Sequence, residues 1–125
     1  MVLATINRPQ ELLYLNLFGD VLANELVLYR AEIAALLTDL KPGFRLITDL
    51  ARLNSIEIEA APEIGRVMDM CDQKGVGMVI RVIPDPSKDI GLNILTFFHY
   101  HHGPKTITCA TLEEAVKTLD PATPP

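Results

Sequence analysis

Tryptophan is absent from the 125 residues, cysteine occurs twice, and positive charge is in short supply. Each shortage excludes something. Eleven Lys and Arg against sixteen Asp and Glu leave a net charge of −5, so a phosphate backbone would gain little from this surface and nucleic-acid binding is not expected. Cys71 and Cys109 lie far apart and in no C-x-x-C arrangement. One falls in a helical pattern and the other in a strand pattern, which reads as two buried thiols in a reducing compartment. No window approaches the roughly 20 apolar residues that a membrane-spanning helix needs. The opening MVLATINRPQ has no basic stretch leading into an apolar one, so no signal peptide is expected and the protein is predicted to be cytoplasmic.

What is present is an ordinary globular composition, 49% apolar and 22% charged, in a length suited to one domain with its own core. Val2 to Ile6 and Leu12 to Phe18 read as two strands joined by the turn-like Asn7-Arg8-Pro9-Gln10, hence a hairpin. After Gly19-Asp20, Leu26, Tyr29, Ile33, Leu36, Leu37 and Leu40 recur at helical spacing until Lys41-Pro42-Gly43. Phe44 to Leu50 is a third strand. A helix from about Ala60 to Lys74 follows, with Pro62 in its first turn and Gly75 as its cap. Val76 to Ile83 is a strand, and Asp85-Pro86 opens a helix running to about Tyr100. Lys105 to Ala110 is the last strand. Thr111-Leu112-Glu113-Glu114 forms a capping box for a short helix expected to bury Leu112, Val116 and Leu119.

The order β-β-α-β-α-β-α-β-α implies an α/β domain over residues 1–119 with a mostly parallel sheet, and the proline-rich 120–125 should be a loose tail. Leu46, Met78, Ile80, Val82, Ile107 and Cys109 fit one apolar face, with Asn16, Arg45, Asp49, Arg81, Thr106 and Thr108 on the other. Helices are therefore expected chiefly on one face.

Three carboxylates crowd into SIEIEAAPEI: Glu57, Glu59 and Glu63. Ile56 and Ile58 alternate with them, so the isoleucines should point inward and the acids outward. A helix N-terminus stabilises such charges by roughly 0.3–1 kcal/mol each. Acid/base catalysis would need the carboxylates to converge beside a nucleophile or oxyanion donors, and no such partner is in view. A hard-metal cage would need more oxygen ligands in a tight loop, and no D-x-D-x-D-G pattern occurs.

The stretch FRLITDLARLNSIEIEAAPEI resembles the central segment of STAS domains, found in sulfate-transporter tails and bacterial anti-sigma-factor antagonists. In that family a strand ends in Asp-Leu, an apolar turn follows, and a D-S-S-G-type motif sits at a helix N-terminus. Asp49-Leu50 matches the first feature, and Leu53 and Ile56 match the turn. Glu57 stands at the aspartate, Ile58 and Glu59 at the two serines, and Ala60 at the glycine. The resemblance extends through the element order, from the initial hairpin to the helix after T-L-E-E-A. It implies a STAS-like fold and a non-enzymatic regulatory domain without a cofactor. In antagonists of the family a motif serine is phosphorylated by a partner kinase, and a helix N-terminus suits the phosphate. Here neither Ile58 nor Glu59 offers a hydroxyl, so that switch should be absent. The family's acidic residue near the start of the first helix falls on Leu22, between Asp20 and Asn24. Glu59 is then either a fixed carboxylate in the phosphoserine place or a surface residue of a retired site.

His99-Tyr100-His101-His102 holds every histidine. His99 and His102 share a helix flank, the minimum for two ligands of a soft metal, but a zinc site wants three or four and no third is nearby. On the same predicted helix Ile90, Ile94, Phe97 and Phe98 face the sheet. Leu92 and Leu95 lie on the opposite flank with His99, where polar residues are usual. The expected interaction surface is therefore Glu57, Ile58, Glu59, Glu63, Leu92, Leu95 and His99. Its partner would be a protein, with an anti-sigma-type kinase or other regulator implied by the resemblance, or a second copy forming a homodimer. The alternative is a carrier or sensor for a small lipid or nucleotide.

Overall fold

In a computed structural model of the protein, residues 1–85 and 99–119 are described. The helix expected from Asp85 to Tyr100, with Leu92 and Leu95, lies almost wholly outside these residues, as does the tail from Asp120. Strands β1 (Val2–Asn7) and β2 (Leu12–Leu17) form the expected antiparallel hairpin, with Val2 opposite Leu17 and Asn7 opposite Leu12. Its turn is held by Asn7, whose amide donates to Gln10 Oε1 at 3.2 Å and whose Oδ1 accepts the Gln10 N–H at 3.3 Å. β3 (Gly19–Val21), α1 (Ala23–Leu37), β4 (Arg45–Asp49) and β5 (Leu53–Ile56) come next. A 3₁₀ turn over Ile58–Ala60 leads into α2 (Ala61–Lys74), then β6 (Met78–Val82), β7 (Lys105–Cys109) and α3 (Leu112–Leu119).

The main sheet has the order β1-β2-β4-β6-β7, parallel from β2 onward. Strands added in one direction by right-handed crossovers put their connecting helices on one face. Accordingly, Leu13, Leu15, Leu17, Leu46 and Val79 pack with Leu26, Ile33, Leu37, Ile64, Val67, Met68 and Cys71 of α1 and α2 in the larger core. Among the described residues, α3, which follows β7, packs on the reverse face. Ala115 and Leu119 meet Leu12, Ile47, Ile80, Val82 and Cys109 in a second, smaller core.

The sheet faces differ from the sequence expectation by one residue in β4. Ile47, not Leu46, pairs with Ile80, so Leu46 sits with Val79 beneath α1 and α2. The alternation of β2 and β4 places Asn16, Arg45 and Asp49 with Ile47 on the reverse face, while Arg81 faces the crossover helices. Both faces carry apolar residues, so period 2 alone could not fix the frame. In α3 the burial also shifts: Ala115 and Leu119 are buried, and Leu112 and Val116 are exposed. The first helix stops at Leu37 rather than Leu40, its end closed by the Thr38 hydroxyl donating to the Ala35 carbonyl at 2.6 Å.

A short parallel ribbon, β3 beside β5, lies outside the main sheet and was not legible as strands. It carries the chain from the strand ends to the starts of α1 and α2. α2 ends at Gly75, whose φ of 96° is left-handed.

Candidate interaction site

The three glutamates do not converge. Glu57 turns toward α1, whose N-cap residue, Leu22, has no side-chain oxygen to cap the helix. The Ala23 N–H donates to Glu57 Oε1 at 3.4 Å, and the Leu22 N–H donates to Glu25 Oε1 at 3.2 Å. Glu63 turns inward along α2, where Arg30 of α1 (3.0 Å) and Arg66 (3.3 Å) flank its carboxylate. It thus braces α1 against α2. Glu59 stands exposed on the 3₁₀ turn, at the positive end of α2. Neither Glu57 nor Glu59 has a cationic partner among the described residues.

Ile58 lies between them and is 87% exposed. Strand alternation predicted it inward beside Ile56. Ile56 is half-buried in β5, but the chain enters the 3₁₀ turn at Ile58 and the alternation ends there, so its side chain swings outward. The turn is firmly held. The Glu57 N–H donates to the Val21 carbonyl at 2.9 Å, and the Ala60 N–H donates to the Glu57 carbonyl at 2.9 Å. Just before it, Asn54 and the Ser55 hydroxyl each donate to Asp20 Oδ1 at 2.7 Å. Those two bonds, Ser55's first, hold the Asp20 carboxyl below its ordinary range. Leu22, 43% exposed, emerges from the backbone stretch next to Glu57.

At the other end of α2 the histidine run makes contacts that sequence reasoning missed. His99 Nδ1 lies 2.8 Å from Asp69 Oδ1, and His102 Nδ1 lies 2.9 Å from Asp72 Oδ2. The His102 backbone N–H also donates to Asp72 Oδ1 at 3.1 Å. Asp72 is 3% exposed. Burial disfavours its charge, but the His102 backbone N–H, ring and charge outweigh that and hold the carboxyl below its ordinary range. The matching signal was available: Asp69 and Asp72 are three apart on α2, and His99 and His102 are three apart in the sequence. Among the described residues no group of three or more His, Cys, Asp or Glu draws together as a metal site.

Two further features lie inside the fold. Tyr14 donates to Asp49 Oδ2 at 2.5 Å on the reverse face, and the Ala51 N–H donates to Asp49 Oδ1 at 3.0 Å. Burial, then this bond and the Asp49 charge, push the phenol up to about 12. Beneath α1 and α2 an apolar cavity of about 50 Å³ touches Leu15, Ile33, Met68, Arg81 and Tyr100. Arg81 is buried there.

No family model matches the chain, and no curated protein does. Solved structures do. The anti-sigma factor antagonist SpoIIAA in its unphosphorylated form aligns over 97% of this chain and 99% of its own, at 20% identity and a TM-score of 0.64. The Bacillus cell fate determinant SpoIIAA in its phosphorylated form aligns over 95% and 99%, at 20% identity and a TM-score of 0.65. An uncharacterized DUF3478 protein with a SpoIIAA-like fold, from Shewanella loihica, aligns over 94% and 93%, at 13% identity and a TM-score of 0.75. At these identities the likeness establishes the fold, and the chain folds as a STAS-like, SpoIIAA-like α/β domain.

Proposed function

We propose that the chain is a non-enzymatic regulatory domain that docks a protein partner through the turn at the start of α2. Glu57, Ile58 and Glu59 form the centre of that surface. Glu63 braces it from behind; the sequence expectation adds Leu92, Leu95 and His99 to this surface, and of these Leu92 and Leu95 lie outside the described residues. The observation that carries the reading is Ile58, an 87% exposed isoleucine on a turn fixed by backbone hydrogen bonds. The fixed turn keeps that side chain in water, where it stands ready to enter a partner's pocket. SpoIIAA, which shares the fold, is an anti-sigma factor antagonist known in phosphorylated and unphosphorylated forms. At the positions matching the phosphoacceptor motif this chain has Ile58 and Glu59, so its binding would be set by affinity rather than by a kinase. Glu59 brings one charge against about −1.5 to −2 for phosphoserine, and it serves as a docking charge rather than a substitute phosphate.

Ile58→Asp, Glu59→Lys and Leu95→Asp test this. Ile58→Asp and Glu59→Lys should keep the wild-type melting curve, and all three should lose partners recovered by the wild-type domain, with oligomeric state followed by light scattering. Unchanged partners and unchanged oligomeric state would remove the proposed surface.

The small-ligand alternative would use the cavity beside Arg81 and Tyr100. Its volume of about 50 Å³ is about a third of the roughly 150 Å³ that takes benzene, so a ligand would have to prise the core apart. Native mass spectrometry of the purified protein separates the two: a retained small molecule favours the carrier.

A further inference from the structure

Resting on that docking reading, we infer that the partner presents a cationic surface around an apolar socket, which receives Ile58 and Leu22. Ile58 and Leu22 leave adjacent backbone stretches, tied by the Glu57 N–H donating to the Val21 carbonyl at 2.9 Å and by the Ala23 N–H reaching the Glu57 carboxylate. Both are exposed, 87% and 43%, on these neighbouring stretches, and together they make the knob of this proposal. Around it stand Asp20, Glu57 and Glu59. Asp20 is kept ionised by its bonds from Ser55 and Asn54. Glu57 and Glu59 have no cation beside them among the described residues.

Charge selects among occupants. A second copy docking knob to knob would bring two acidic rims face to face, on chains that each carry a net −5. Anionic lipid and nucleic acid meet the same repulsion. A basic protein surface does not: it pairs with the rim and steers the encounter, while the apolar contact supplies the slow dissociation. Arginines suit the rim best, since each can take a carboxylate with two parallel N–H donors. The exposed hydrophobe thus sets how tightly the partner holds, and the acids set which partner comes.

Two synthetic amphipathic peptides with the same leucine stripe, one with an Arg/Lys polar face and one with an Asp/Glu face, test the inference by amide chemical-shift titration. The basic peptide should shift residues 20–24 and 56–61 and lose affinity several-fold between about 50 and 300 mM salt, the loss expected when two or three charge pairs are screened. The acidic peptide should not bind. Ile58→Asp should weaken the basic peptide about ten-fold or more, and Glu59→Lys several-fold. Leu28→Asp, at an exposed leucine further along α1, should leave the affinity unchanged. Equal binding of both peptides, shifts centred elsewhere, or indifference to salt and Glu59→Lys would overturn it. A natural partner that is lost with Ile58→Asp yet ignores salt and Glu59→Lys would defeat this inference and leave the docking reading standing. A partner that tolerates Ile58→Asp would defeat both.

Discussion

Gly65 offers a sharp test of how the histidine end of the domain is held. It lies in the middle of α2, where alanine ought to be better than glycine by about 1 kcal/mol. The space above it is occupied. A Cβ built at Gly65 would fall 2.5 Å from His99 Nε2, 2.7 Å from Cε1 and 3.1 Å from Cδ2. No side chain tolerates the first two distances, so the imidazole has to leave. It is not a free tail that swings aside, because Nδ1 of the same ring is bound to Asp69 at 2.8 Å. Moving it gives up that bond, worth about 1 kcal/mol with a partly exposed aspartate, and adds crowding of about 1–3 kcal/mol. Set against the helix gain of about 1 kcal/mol, Gly65→Ala should destabilise by about 1–3 kcal/mol.

For 125 residues, 1 kcal/mol corresponds to about 4 °C in Tm, so the variant should melt about 4–12 °C lower. In a His99→Ala background the obstruction is gone, and the same substitution should raise Tm by about 4 °C. Circular-dichroism melts of the four proteins complete the cycle. If Gly65→Ala stabilises equally with and without His99, the ring does not sit over the glycine and the account of this contact is wrong.

Asp72→Asn addresses the second histidine contact and its pH dependence. The folded-state pKa of Asp72 is depressed, so its contribution is present above the unfolded value of about 3.9 and is lost as pH falls through the lower folded value. The stability gap between wild type and Asp72→Asn, measured by urea denaturation, should be about 1–3 kcal/mol at pH 7 and shrink below pH about 4; an unchanged gap would refute the pairing. Tyr14→Phe removes the donor to buried Asp49 and should cost about 1–3 kcal/mol at neutral pH. Tyr14 titrates in the opposite sense, since its folded pKa is raised. Wild type should lose stability as pH climbs from about 10, where the unfolded phenol ionises, toward about 12, and Tyr14→Phe should flatten part of that loss in alkaline urea titrations.

Among the described residues, the order of the five main-sheet strands and the helices α1, α2 and α3 was legible because strand and helix periods alternate there and glycine or proline marks most boundaries. The reading failed where a local rule was overruled by something distant. Leu46 looked equivalent to Ile80 because both faces of β4 are apolar, and only the pairing of Ile47 with Ile80 decides which residue faces α2. Val116 fits a helical stripe with Leu112 and Leu119, yet α3 is only eight residues long and seats Ala115 and Leu119 instead. The glutamates were grouped by proximity in sequence. Three dimensions separated them: one caps α1, one joins Arg30, and one faces water. His99 and His102 were compared with each other as ligands, when their partners lay on α2, about thirty residues earlier at matching spacing.

An exposed isoleucine is ordinarily unremarkable, and what gives Ile58 meaning is the rigidity beneath it. If the turn were slack, the chain could bury that side chain against Leu22 at little cost. Instead the backbone at Glu57 is fixed on both sides, donating to Val21 and accepting from Ala60, while its carboxylate is committed to the start of α1. Releasing Ile58 inward would break the turn, uncap α1 and disturb the β3–β5 ribbon together, about three hydrogen bonds at roughly 1 kcal/mol each. Full burial of an isoleucine returns only about 1.5–3 kcal/mol, so the outward state holds by the fold's own accounting and no partner is needed to maintain it. The knob is therefore preorganised: a partner that accepts it gains the burial without first ordering the turn. Glu57→Ala would loosen that arrangement while leaving Ile58 in place, and it should weaken a rim-dependent interaction even where Glu57 itself touches nothing in the complex.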